Sequence, residues 1–184
     1  MKNIVIIGAG DLGKEIVWLI EDINKVKPTY LILGFLDDDI SKTETEFFGY
    51  KVLGGTEQLK VLSIKMPLNA VIAIQDGTVR KRIVEDHPEF DNWESIIHPA
   101  SVISSTSRIG KGCVFFPQTT VSVDTRLGSF CLFYIHSTVC NDCKIGDYVS
   151  VLANAVVPEH AEIEDFTQVS SNTNLEPHSY FMGR

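Results

Sequence analysis

Three groups of residues in this chain have the types and spacing to do chemistry. The first is Gly8-Ala9-Gly10-Asp11-Leu12-Gly13, a GxGxxG turn between the β-branched run Lys2–Ile7 and an amphipathic segment. Between a strand and a helix, such glycines let the backbone turn tightly against a phosphate. The helix N-terminus adds free N–H groups and partial positive charge. The second group is Asp37-Asp38-Asp39, after the next strand-like run, where a carboxylate can accept from a ribose or a base. The third lies in the second half. Asp124, Asp142, His160 and His178 stand eighteen residues apart, as do Gln118, His136, Asn154 and Asn172. A carboxylate against an imidazole fixes its tautomer and raises its basicity, which is general-base chemistry. Each group also has a plain reading. The glycines can simply pack strand on helix, Asp11 would repel a pyrophosphate, and the polar columns can be solvated corners.

The second half carries a repeat. Every sixth residue from Ile97 to Phe181 is apolar, and the residue four places after each is small, from Ser101 through Cys113, Cys131 and Cys143 to Ser179. A helix has a period near 3.6 and a plain strand a period of 2. A period of 6 held over about 85 residues requires short strands wound around a prism, three hexads to a coil, in about five coils. Residues eighteen apart then stack at the β-sheet spacing of roughly 4.8 Å. The first half reads differently. Strands are predicted at Lys2–Ile7, Leu31–Leu36, Ala70–Ile74 and Trp93–Ile97, and helices at Asp11–Asn24, Thr56–Ile64 and Thr78–Asp86. That alternation predicts a parallel α/β sheet. The domains expected are residues 1–94, Rossmann-like, and residues 95–184, the coils.

Net charge −8 and pI 5.0 argue against nucleic acid or an anionic membrane as partner. Ile4–Ile7 is too short for a membrane span or a signal segment. Four cysteines without a secretion signal predict free thiols in a reducing, cytoplasmic setting. Three of them fall on small inward positions, and no HxxxH spacing points to a metal. The α/β region ends too early for the second half of a dinucleotide fold, so a nucleotide is expected there rather than NAD. Phe116, Val123, Phe130, Leu132 and Tyr134 lie off the inward positions and predict an apolar outer face, hence a homotrimer.

In their order and spacing, Ile4-Val5-Ile6-Ile7-Gly8-Ala9-Gly10, Gly34-Phe35-Leu36-Asp37-Asp38-Asp39, Val52-Leu53-Gly54-Gly55, Val71-Ile72-Ala73-Ile74 with Arg80 downstream, and Ile97-His98-Pro99-Ala100 resemble one family. It is the hexapeptide-repeat sugar acetyltransferases: sialic acid O-acetyltransferases and N-acetyltransferases of nucleotide-linked amino sugars. The resemblance implies a left-handed parallel β-helix after the α/β domain, a homotrimer, and acetyl-CoA as donor between neighbouring β-helices. It also implies a nucleotide sugar near Gly8, Gly10, Gly13, Asp37, Asp38 and Arg80.

Two departures accompany it. The family's Glu-His-Asp-Cys before an Ile-Gly is here Cys140-Asn141-Asp142-Cys143-Lys144-Ile145-Gly146, so the general-base histidine falls on Asn141, and a second family histidine falls on Ser150. An amide has no useful basicity near neutral pH; it can orient an acceptor or bind an oxyanion. The segment Pro177 to Gly183 resembles the family's closing stretch but comes about two coils early. Asp142 with His160 is the substitute pair, and His136 the second choice. Two functions follow: an acetyltransferase acting on a sugar or nucleotide-linked amino sugar with an altered site, or a non-catalytic homologue that binds a sugar nucleotide or assembles with an enzyme.

Overall fold

The computed structural model describes residues 1–176 and 180–181, which divide into two compact units, Met1–Ile96 and Ile97–Arg184. The first unit is built on a three-stranded parallel sheet. Strand β1 (Lys2–Ile7) lies between β2 (Tyr30–Leu36) and β5 (Asn69–Ile72). Ile4, Val5 and Ile6 are fully buried, as a central strand covered on both faces requires. Helix α1 (Asp11–Val26) turns Ile16, Val17, Leu19 and Ile20 inward, two residues longer than the periodicity predicts. Helices α2 (Gln58–Lys65) and α3 (Gly77–Asp86) flank β5 in sequence, and the Asp76 carboxylate caps α3 by accepting from the Thr78 and Val79 N–H groups. A hairpin of β3 (Glu46–Phe47) and β4 (Tyr50–Lys51) was not predicted, because strands of two residues carry no periodicity. The predicted strand from Trp93 reduces to a single bridge, Ala70 with Trp93, and a short strand at Ile96–Ile97.

The second unit is the coil of hexads, wound as the left-handed β-helix that the family resemblance implies. Two-residue strands pair in parallel with strands eighteen residues away on three faces. They run Val102–Ile103 to Val156–Val157, Arg108–Ile109 to Tyr180–Phe181, and Ile96–Ile97 to Gln168–Val169. Its interior holds the apolar residues of the repeat: in one column Phe115, Phe133 and Val151 are fully buried and Val169 is 4% exposed, and the Phe115 and Phe133 rings stack at 4.8 Å. Ile97, at the open end of the prism, is 40% exposed.

Several of the small inward residues are explained by hydrogen bonds, whereas Val149, Ala155 and Ala161 carry no donor, and Ser137 Oγ and Thr167 Oγ1 are buried without a partner among the described residues. Thr125 donates its hydroxyl to Cys140 O at 2.9 Å, and Cys113, Cys131 and Cys143 point their thiols at Gly128 O, Gly146 O and Pro158 O. In each pair the acceptor lies fifteen residues on. A hydroxyl or thiol at this position therefore satisfies a turn carbonyl of the next coil that would otherwise be buried unpaired.

From Gly112 to Asn172 each corner is turned by one residue in the left-handed conformation. Asp124, Asp142 and His160 form one edge with φ of 55°, 57° and 60°, and Gln118, His136, Asn154 and Asn172 form the second. Asp, Asn and His tolerate this region better than most side chains. The third edge carries Phe130, Tyr148 and Phe166 at positive φ, and their rings stack face to face at 5.3 Å. This corrects the expected apolar outer face. Phe116 and Leu132 are fully buried and Phe130 is 3% exposed, whereas Val123 stays open at 47%. Outward aromatics in register cover one another, Phe116 on Tyr134 at 4.9 Å, so sequence position alone overstates their exposure.

Candidate functional site

In the first unit the GxGxxG turn carries the chain from β1 to α1. Gly8 has φ +109°, and a Cβ there would stand 2.8 Å from Ala73 O; a Cβ on Gly13 would stand 2.4 Å from Gly8 O. These two glycines are required by close backbone approach. Gly10 differs: it opens α1 without a side-chain cap and has open space where its Cβ would be. Its surroundings suit a ligand more than packing. Asp11 points into solvent and pairs with Lys14 at 3.0 Å, away from the turn's interior contacts.

Asp37 closes the turn. Its Oδ2 accepts from Ala9 N at 2.8 Å and from Lys42 Nζ at 2.9 Å, and its Oδ1 accepts from Asp39 N at 3.0 Å. Burial pushes the carboxyl up, but the Lys42 ammonium and the two backbone donors outweigh it and hold it below its ordinary value of 3.8. Asp38 accepts from Thr56 N at 2.7 Å. Two depressions meet here. One of 680 Å³ is lined by Asp37, Asp38, Ile40, Leu53, Gly54 and Gln58; a smaller one of 130 Å³ is lined by Gly8, Leu36, Asp38, Thr56, Ile74 and Arg82. Both lie at the carboxyl ends of the strands. The chain leaves β1 to one side for β2 and returns to the other for β5, which is the switch point where open α/β sheets hold ligands.

Gly8, Asp37 and Asp38 thus line one site with Gly10 at the mouth of its helix, while Arg80 stands behind it. Arg80 is 1% exposed and donates through Nη1 to Ile74 O at 2.9 Å and Gln75 O at 2.6 Å, so it braces the loop after β5. The arginine that lines the depression is Arg82, two residues on and exposed. Sequence reasoning missed it because which residue of a helical pair faces a cavity depends on how α3 is rotated.

In the coil unit, Asn141 Nδ2 donates to Asp142 Oδ2 at 2.8 Å, and His160 N donates to Asn141 O at 3.1 Å. Asn141, Asp142 and His160 are therefore gathered at one corner, as the eighteen-residue offset predicts. The Asp142 carboxylate, expected under His160, accepts from the Asn141 amide. The register of Thr138 with Val156 and Val139 with Val157 places Glu159 over Asn141. Sequence analysis did not single out Glu159, though the same offset points to it. Its carboxylate reaches the neighbouring thiol: burial pushes Cys140 up, and Glu159 adds to the rise. Burial also pushes Cys143 up to about 11, as an inward, inert thiol requires. His136 sits on another edge of the prism, and His178 lies outside the described residues. Among the described residues no group of three or more His, Cys, Asp or Glu is arranged for a metal, and no helix is long and apolar enough to cross a membrane.

A Rossmann-like α/β unit followed by left-handed hexapeptide coils defines the class of this protein. Residues 3–87 match the PglD N-terminal domain. Three solved structures resemble nearly the whole chain. The acetyltransferase domain of PglB from Neisseria gonorrhoeae, in complex with acetyl coenzyme A, aligns at TM-score 0.72 and 24% identity, over 94% of this chain and 87% of that one. A histidine-to-asparagine mutant of perosamine N-acetyltransferase from Caulobacter crescentus, in complex with CoA and GDP-perosamine, aligns at 0.76 and 19% identity, over 98% and 91%. WeeI from Acinetobacter baumannii aligns at 0.80 and 26% identity, over 96% and 81%. No curated protein sequence matches the chain. The resemblance to hexapeptide-repeat sugar acetyltransferases read from the sequence is the one these comparisons find.

Proposed function

We propose that this protein transfers an acetyl group from acetyl-CoA to an amine or hydroxyl of a nucleotide-linked sugar. The observation that carries the reading is the joining of a PglD N-terminal domain to coils like those of structures holding acetyl-CoA, or CoA with a nucleotide sugar. The nucleotide, of pyrimidine type, lies along Gly8, Gly10, Asp37 and Asp38, with Arg82 at the rim and Gly13 and Arg80 supporting the turn and the loop. Acetyl transfer joins the acceptor's lone pair to the acetyl carbonyl carbon, releases the CoA thiolate, and leaves one proton to be taken from the acceptor. His160 takes that proton, with Asp142 beside it, and the Asn141 amide orients the acceptor or meets the carbonyl oxygen. The exposed Val102 and Val123 support assembly as a homotrimer through the coils, and free cysteines fit a cytoplasmic protein.

The second reading rests on Asn141. With an amide where the family has its base, the chain would be a homologue that holds a sugar nucleotide without turning it over. Incubation with acetyl-CoA and amino sugars linked to uridine, thymidine or guanosine diphosphate, followed by mass spectrometry, separates the two. An acetylated product supports the enzyme. A retained nucleotide sugar with no product supports the binding protein, and tight NAD binding with no response to any nucleotide sugar overturns both.

A further inference from the structure

Among the described residues, two arginines of the coil unit form no ion pair. Arg108 and Arg126 are exposed on one prism face and are register partners in adjacent parallel strands, so their side chains leave rungs about one strand spacing apart. Among the described residues neither side chain has a hydrogen bond or an ion pair. The next cation of the same column, Lys144, is matched by Glu162 at 2.5 Å. Two like charges at this distance repel, and an anion between them would reverse the sign of that interaction.

Beside them lies a depression of 330 Å³ lined by Thr106, Arg108, Asp124, Thr125, Arg126 and Asp142. Both threonine hydroxyls are engaged: Thr106 Oγ1 accepts from Asp124 N, and Thr125 donates to Cys140 O. The strong donors left open are therefore the two guanidinium forks, which suit a phosphoryl or carboxylate group. The two carboxylates would oppose a bare anion, but they match hydroxyl or ammonium groups next to one.

We propose that this depression binds a sugar that carries an oxyanion, phosphoryl or carboxylate. Arg108 and Arg126 hold the anion, and Asp124 and Asp142 hold hydroxyl or amino groups of the same ring. Asp142 is also the partner of Asn141, so the bound sugar lies against the corner that gathers Asn141 and His160. The lining carries this assignment without acetyl transfer; where that reading holds, the depression is the acceptor's subsite.

Calorimetry on the full chain at low salt tests it with glucosamine 1-phosphate, glucuronate and, as the anion-free control, glucosamine. One of the two anionic probes should bind, glucosamine at least tenfold more weakly. Arg108→Gln and Arg126→Gln should each weaken the anionic probe by about tenfold or more. Arg126→Lys should fall between, because it keeps the charge and loses the fork. Unchanged thermal midpoints in these exposed variants show that folding is intact. Binding of glucosamine 1-phosphate assigns a phosphoryl group, and binding of glucuronate a carboxylate. Failure of both probes to bind in the millimolar range, or undiminished binding to both glutamine variants, overturns the assignment. An inactive protein that still binds the probe through these arginines would refute acetyl transfer alone.

Discussion

Asp37 and the Asn141 corner are where single residues decide most. Asp37 ties the glycine turn to Lys42, and its carboxyl is held below its ordinary value of 3.8. A depressed folded-state pKa means that its stabilisation is complete above the unfolded value and is lost as pH falls through the folded one. Asp37→Asn should therefore cost about 1–3 kcal/mol in urea unfolding at neutral pH, the range for hydrogen bonds to a charged group. The difference from the native protein should shrink in titrations carried below pH 3.8. At the corner, Glu159→Gln removes the charge that adds to the rise of the Cys140 thiol, while burial persists. Alkylation of Cys140 by iodoacetamide at mildly alkaline pH should be faster in that variant; an unchanged rate would place Glu159 beyond electrostatic reach. If acetyl transfer is observed, His160→Ala should lower kcat/KM by roughly 10²-fold or more, the lower end for a placed general base, and Asn141→Ala by less. The reverse change, Asn141→His with Cys140→Glu, should raise the activity of a weak parent.

Among the elements, a coil depends on its neighbours on both sides. Phe133 is fully buried and stacks on Phe115, so Phe133→Ala opens a cavity between rungs and should cost about 3–5 kcal/mol in denaturant unfolding. The β1–α1 turn is as unforgiving for a different reason. At Gly13 an added methyl meets backbone, Gly8 O, and not a side chain that can swing aside. Gly13→Ala should therefore destabilise the protein and weaken nucleotide-sugar binding together. Gly10→Ala, with open space at its Cβ, should leave stability nearly unchanged and report on ligand approach alone.

For the whole molecule, homotrimer assembly through the coils predicts a light-scattering mass three times the 20.5 kDa of the chain at micromolar concentration. Val123→Glu should shift that mass downward, since a charge in an apolar contact is costly. A monomeric mass for the native chain would remove both the trimer and any site shared between copies.

What the sequence determined was whatever depends on periodicity. A six-residue repeat admits one winding of short strands, and with it the buried ladder from Phe115 to Val169, the small inward residues and the stacking of Asn141, Asp142 and His160 could be read by counting. The GxGxxG turn and the acidic run after β2 were legible for the same reason, since local spacing places them at strand ends. Tertiary structure decided what local spacing leaves open. The rotation of α3 sends Arg80 behind the site and Arg82 to its rim. Stacking of outward aromatics buries Phe116 and Phe130. Asp37 meets the turn through Ala9 and Lys42, a contact set by how β2 packs beside β1. Arg108 and Arg126 become a pair only because the coil brings residues eighteen apart into register, and neither forms an ion pair among the described residues.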